Sequence, residues 1–181
     1  MGTEVDKAFE RCRLLAELVK LEYERARANP TQDRYVKLGV IREGDTRGEA
    51  VKKIEDAFSD LTSLVDHLTI LDMAAALEKS FSQRITTAIG EARKTLNQKF
   101  HASTLAAREN LIRDSASFEG LREIVALISA GLSGEIQEML SKVRENRNRF
   151  AHGTDLRNPP TVLKDDARNA LNEAFALLRP M

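Results

Sequence analysis

The stretch EAVKKIEDAFSDLTSLVDHLTILDMAAALEK, residues 49–79, decides the fold class. Val51, Ile54, Phe58, Leu61, Val65 and Leu68 recur at steps of three and four, and Leu71, Ala74 and Ala75 carry the stripe on. That is the period of an α-helix with one buried face. No proline or glycine interrupts it, so 49–79 reads as a long core helix. A second helical stretch runs from about 81 to 100 through Phe81, Ile85, Ile89, Ala92, Leu96 and Phe100. Ser80 and Ser82 are weak places for a break, which leaves one bent helix or two.

Working outward, residues 5–28 form an amphipathic helix on Val5, Ala8, Phe9, Cys12, Leu15, Ala16 and Val19, stopped by Asn29-Pro30. Residues 29–48 are the least helical: an irregular loop, or short strands from the weak alternation over 35–41. Glu43-Gly44-Asp45 reads as a turn. A short helix is expected over 103–113 and another over 118–130, ended by Gly131. Ser133 then caps a helix over 134–151, with Gly153 as its terminating residue and Pro159-Pro160 as an extended linker. A last helix covers about 163–178, with Asp165 and Asp166 in its first turn. The expectation is an all-α, single-domain bundle of about six helices over residues 1–181.

Composition narrows the function classes. The 28 basic and 28 acidic residues cancel. That argues against coating nucleic acid by bulk charge, though not against a local phosphate site. Cys12 is the only cysteine, so neither an intrachain disulfide nor a cysteine zinc site is expected. Its register points to a small buried hydrophobe. There is no His-Glu-x-x-His, no paired-histidine spacing, no dense carboxylate cluster and no glycine-rich phosphate loop, so no metal and no cofactor are expected. No apolar run is long enough to span a bilayer and no signal-peptide pattern is present. A cytoplasmic protein without a membrane partner is the expectation.

Two polar residues interrupt apolar stripes. On the 134–151 helix, Ile136, Leu140, Val143 and Phe150 are apolar, and Arg147 falls in the core-facing register. On the earlier helix Glu78 falls in register with Leu71, Ala74, Phe81 and Ile85. A buried guanidinium is costly without a partner, so Glu78 and Arg147 are expected to pair. Otherwise Arg147 snorkels outward and Glu78 is solvated. His152 ends the helix, where its cation complements the helix dipole. His67 and His101 read as surface or boundary residues.

The segment Arg147-Asn148-Arg149-Phe150-Ala151-His152-Gly153 resembles the signature of the HEPN family: an arginine, a polar residue, then a histidine, here as Arg-x4-His. Residues 68–81, with Ala74-Ala75-Ala76-Leu77-Glu78, also resemble a helix that many HEPN proteins carry upstream. The motif covers seven residues, and the helical architecture extends the likeness loosely over most of the chain. The resemblance implies a HEPN-like bundle that forms a homodimer, with motifs meeting across the dimer. It also implies a metal-independent endoribonuclease of the toxin–antitoxin or phage-defence kind, with RNA as substrate and an antitoxin protein as a further partner.

In such an enzyme His152 serves as general acid or base. Arg147 clamps the charge that builds on the phosphate. Asn148 orients the histidine or the phosphate, while Glu78 and Arg149 support them. A regular helix turns about 140° over five residues, so Arg147 and His152 do not share a face. Either the helix frays before Gly153, or each site draws on two protomers. Two other readings stand beside the enzyme: a non-catalytic HEPN module that binds RNA, a nucleotide or a protein, and a purely structural helical dimer.

Overall fold

A computed structural model describes residues 2–99, 120–153 and 159–178. Among these residues all regular secondary structure is helical, with no strand. The helices are α1 (Glu4–Ala28), α2 (Asp33–Lys37), α3 (Arg47–Lys99), α4 (Leu121–Ile128), α5 (Gly134–Ala151) and α6 (Lys164–Leu177), with a 3-10 turn at Ser129–Gly131 after α4. The expected all-helical architecture is thus present. The stretch 49–79 and the described part of 81–100 are one helix of 53 residues, α3 (Arg47–Lys99), about 80 Å long. The segment expected over 103–113, and His101, lie outside the described residues.

Local signals account for the helix boundaries. Thr3 and Asp6 form a reciprocal capping box at the start of α1, which satisfies two amides that a helix leaves unpaired. Thr46 and Glu49 do the same for α3: the Glu49 amide donates to Thr46 Oγ1 and the Thr46 amide to Glu49 Oε2. Ser133 caps α5 by accepting from the Ile136 amide. Gly153, with φ +63°, follows α5 as expected.

The segment 29–48 is irregular over 38–46, with the expected turn at Glu43-Gly44, and departs from expectation only in its short helix and in lacking the alternative of short strands. It holds no strand; Asp33–Lys37 is one helical turn. Tyr35 and Ile41 alternate because each anchors a small apolar cluster with Ala26, Ala50 and Ile54, not because they pair in a sheet. Tyr35 Oη donates to Glu22 Oε1 at 3.0 Å, which ties the turn to α1.

α1 and α3 are antiparallel: Tyr23 packs against Phe58 with the rings tilted by 48°, Arg27 pairs with Glu55 and Arg11 with Asp72. α6 runs parallel to α3, since Lys164 pairs with Asp66 and Arg84 reaches the Leu178 carbonyl. The main core gathers Val5, Phe9, Ile70, Met73, Leu77, Leu121, Leu140, Val143 and Leu171 from five of the helices. Three alanines of α6, at 167, 170 and 174, are fully buried and let its backbone approach closely. α1 and α6 are pinned at Asp6, whose Oδ1 accepts from Arg168 Nη2 at 2.7 Å and from Asn172 Nδ2 at 3.0 Å. Burial alone would raise the Asp6 pKa. The hydrogen bonds from Arg168, the Thr3 amide and Asn172 outweigh it and hold the group at about 2. Cys12 is half-buried rather than buried, with its Sγ 4.0 Å from Asp72 Oδ2. Leu61, expected in the α3 stripe, is exposed.

Candidate functional site

The site is built on α5. Its buried positions are Leu140, Val143 and Asn146, at steps of three. Asn146 is 0% exposed, while the Arg147 side chain is 38% exposed. The sequence expectation that Arg147 occupies the inner register is therefore corrected by one residue: the helix buries the neutral amide and turns the guanidinium about 100° away. Desolvating an amide costs far less than desolvating a cation.

Asn146 has a partner that the sequence places at the surface or its boundary. His67 on α3 is 0% exposed, and its Nδ1 lies 2.6 Å from Asn146 Oδ1. A carbonyl oxygen only accepts, so Nδ1 carries the proton. The Asn146 Nδ2 group is buried without a hydrogen-bond partner. This pair fixes the rotation of α5 on α3, and so fixes where Arg147 points.

The expected pairing of Glu78 with Arg147 is present. Arg147 Nη2 donates to Glu78 Oε2 at 3.2 Å. The other carboxylate oxygen, Oε1, accepts from the Leu121 amide at 2.7 Å. Leu121 opens α4, and the residue before it, Gly120, has no side chain with which to cap the helix. Glu78, 20% exposed, thus joins α3, α4 and α5 through one carboxylate. Gly120 takes φ +99° and ψ −175°, a conformation that essentially only glycine adopts. A Cβ there would sit 3.6 Å from Arg147 Nη1 and from Glu78 Oε1, and 4.0 Å from Glu123 Oε2. That Glu123 oxygen is buried without a partner.

Beyond the ion pair lies a cleft of about 420 Å³ between α4 and α5, lined by Leu121, Arg122, Arg144, Arg147 and Asn148. Arg144, Arg147 and Asn148 stand at steps of three and four, on one helix face. Among the described residues the lining contains three guanidinium groups and no carboxylate. A larger groove, about 670 Å³, lies between α1 and α3 and mixes Tyr23 and Phe58 with charges of both signs. It gathers none of the expected site residues.

His152 is exposed and stands just past the end of α5, its amide donating to the Asn148 carbonyl at 3.0 Å. The helix is regular through Ala151, so Arg147 and His152 diverge, and His152 does not line the cleft. Arg149 is half-buried on α5 and is likewise not part of the cleft lining. The fold brings together Glu78, Arg147 and Asn148; it leaves His152 and Arg149 apart from them within one chain.

No protein-family model matches the chain, and no curated protein or solved structure matches it either. Sequence reasoning missed Arg144, which its step of three before Arg147 would have revealed. It also missed Arg122, Gly120 and the His67–Asn146 pair. Arg122 carries no local signal, because only the packing of α4 against α5 brings it to the cleft.

Proposed function

We propose that the protein is a metal-independent endoribonuclease of the HEPN type, whose site is completed by a second copy of the chain. One observation carries this reading: Arg147, anchored on one side by Glu78, lines a cleft together with Arg122, Arg144 and Asn148. A guanidinium fixed on one side and still half-exposed is arranged to receive a phosphate.

The chemistry this reading assigns is short. The ribose 2′-OH attacks the adjacent phosphorus, forming a new P–O bond as the bond to the 5′ oxygen breaks. The products are a 2′,3′-cyclic phosphate and a 5′-hydroxyl. Arg147 stabilises the charge on the phosphate oxygens. His152 takes the 2′ proton or supplies one to the leaving oxygen, and Asn148 orients the phosphate. Because Arg147 and His152 diverge on one helix, the histidine of one protomer serves the arginine of the other.

The test is cleavage of single-stranded and structured RNA by purified protein in excess chelator. Arg147→Ala and His152→Ala should each abolish it. An equal mixture of the two variants should recover about a quarter of wild-type activity, since half the dimers are mixed and each holds one intact site of two. Cleavage that survives both substitutions overturns the assignment, and full activity in a monomer overturns the shared site. A non-catalytic RNA-binding module is the second reading, favoured by the position of His152 away from the cleft. Binding without cleavage would select it.

A further inference from the structure

We propose that Arg122 and Arg144, together with Arg147, form a track for successive phosphates of single-stranded RNA. The inference rests on Arg147 being a phosphate ligand, and it adds two residues and a mode of binding.

The three arginines differ in their partners. Arg147 is tied to Glu78. Among the described residues no carboxylate pairs with Arg122 or Arg144, and none lines the cleft. In a chain with equal numbers of acidic and basic residues, where other exposed arginines such as Arg11, Arg13 and Arg27 are each paired with an acid, that local excess stands out from the surface. With one carboxylate, Glu78, set against three guanidinium groups, the cleft keeps a net positive charge that an anion would offset.

The shape selects among anions. Arg144 and Arg147 are one helical turn apart, with Cβ atoms roughly 5–6 Å from each other, and Arg122 faces them from α4. That spreads the charge along the cleft instead of focusing it on one ion. A concavity of about 420 Å³ admits a single backbone; duplex RNA is instead read by contacts spread across two grooves. No aromatic side chain is among the described lining residues, so the bases have no stacking platform here. The binding is to the backbone and is indifferent to sequence.

The experiment separates this track from the ribonuclease reading. The probe is a fluorescent single-stranded oligonucleotide with 2′-deoxy sugars, which cannot undergo 2′-OH attack, and its binding is followed by anisotropy over a range of salt. Three phosphate contacts give a slope of log K against log salt of about −2, at roughly −0.7 per contact for single strands. Arg122→Ala with Arg144→Ala should bring the slope to about −0.7 and weaken binding on the order of fivefold per arginine. Arg11→Ala with Arg13→Ala on α1 removes the same net charge and should leave the slope unchanged. An unchanged slope in the first pair, or an equal change in the second, overturns the proposal. So does displacement of the probe by polyglutamate at equal charge, which would mark the cleft as a site for an acidic protein. Inorganic phosphate binding as tightly as the oligonucleotide overturns the extended track. A slope change in a protein that cuts no RNA leaves the track standing and removes only the ribonuclease reading.

Discussion

Substituting Glu78 separates two jobs held by one carboxylate. In Glu78→Gln the side-chain carbonyl still accepts from the Leu121 amide, so the α4 cap persists and only the charge facing Arg147 is lost. The Arg147 side chain is 38% exposed and its partner 20%, so the ion pair is screened and contributes about 0.5–1 kcal/mol. In Glu78→Ala the Leu121 amide loses its acceptor too. Leu121 is buried, so water does not readily replace the carboxylate, and an orphaned buried amide costs about 1–2 kcal/mol. The expected losses are therefore about 1 kcal/mol for Gln and about 2–3 kcal/mol for Ala. For a chain of this size each kcal/mol lowers Tm by about 2–4 °C, giving falls of about 2–4 °C and about 4–12 °C.

Urea unfolding with an unchanged slope of free energy on denaturant, together with thermal melts, measures both losses. Hydrogen exchange at the Leu121 amide gives an independent reading: protected in wild type and in the Gln variant, fast in the Ala variant. A cycle with Arg147→Ala should show coupling of about 0.5–1 kcal/mol. Equal losses for Gln and Ala, or a Leu121 amide that stays protected in both, would refute the capping role. Strict additivity with Arg147→Ala would refute the ion pair as an energetic contact.

Three further outcomes follow from the fold. The Asp6 pKa, held at about 2 against an ordinary 3.8, contributes stability that is complete above about pH 4. That contribution is lost as pH falls toward 2; at 1.36 kcal/mol per unit it amounts to about 2 kcal/mol. Asp6→Asn should flatten this acid limb in unfolding curves taken from pH 5 to pH 2 (about the range where the two protonation states exchange), and an unaltered limb would exclude the Asp6 contacts as its source. Asn146→Ala should remove the hydrogen bond that Asn146 Oδ1 makes with Nδ1 of buried His67, costing about 1–2 kcal/mol, whereas exposed Arg144→Ala should stay within about 0.5 kcal/mol; equal melting temperatures would contradict the placement of Asn146. Gly120→Ala should cost about 1–3 kcal/mol through its backbone conformation, because its new Cβ would meet its neighbours at ordinary contact distance; a neutral result by denaturation would show that the α4 entry is not held at that φ.

The helices were legible wherever chemistry acts at short range. Asn29-Pro30 and Gly153 mark boundaries through their backbone preferences and Ser133 through its side-chain cap, and the structure uses all three. Serine is a weak breaker, so the sequence leaves 49–100 open as one helix or two, and the structure has α3 unbroken from Arg47 to Lys99. The turn at Asp33–Lys37 was hidden for a related reason. Tyr35, Val36 and Ile41 are residues that strands favour, and only the long-range cluster with Ala26, Ala50 and Ile54 makes a helical turn the better burial. Glu78 and Arg147 were legible as stripe interruptions. Arg122 was not, since its meeting with Arg144 depends on the α4–α5 packing.

The one-residue error on α5 has a physical cause that bears on function. Steps of four and seven from Ile136 reach Leu140 and Val143, and a further step of four reaches Arg147; a step of three reaches Asn146 instead. Both continuations fit a helical stripe, and periodicity alone does not choose between them. Desolvation does. Burying Arg147 would require full compensation of a cation, whereas Asn146 needs hydrogen-bond partners and finds one in His67. The consequence is that the buried polar pair and the half-exposed ion pair are adjacent residues with separate roles. His67–Asn146 sets the rotation of α5, and Glu78 then meets an arginine whose side chain is half in solvent. Had Arg147 filled the core register itself, its guanidinium would be consumed by burial and unable to face an anion. The substitution that best separates these roles is therefore Asn146, not Arg147: disturbing the buried pair should displace Arg147 from Glu78 and weaken phosphate binding without removing any cation from the cleft.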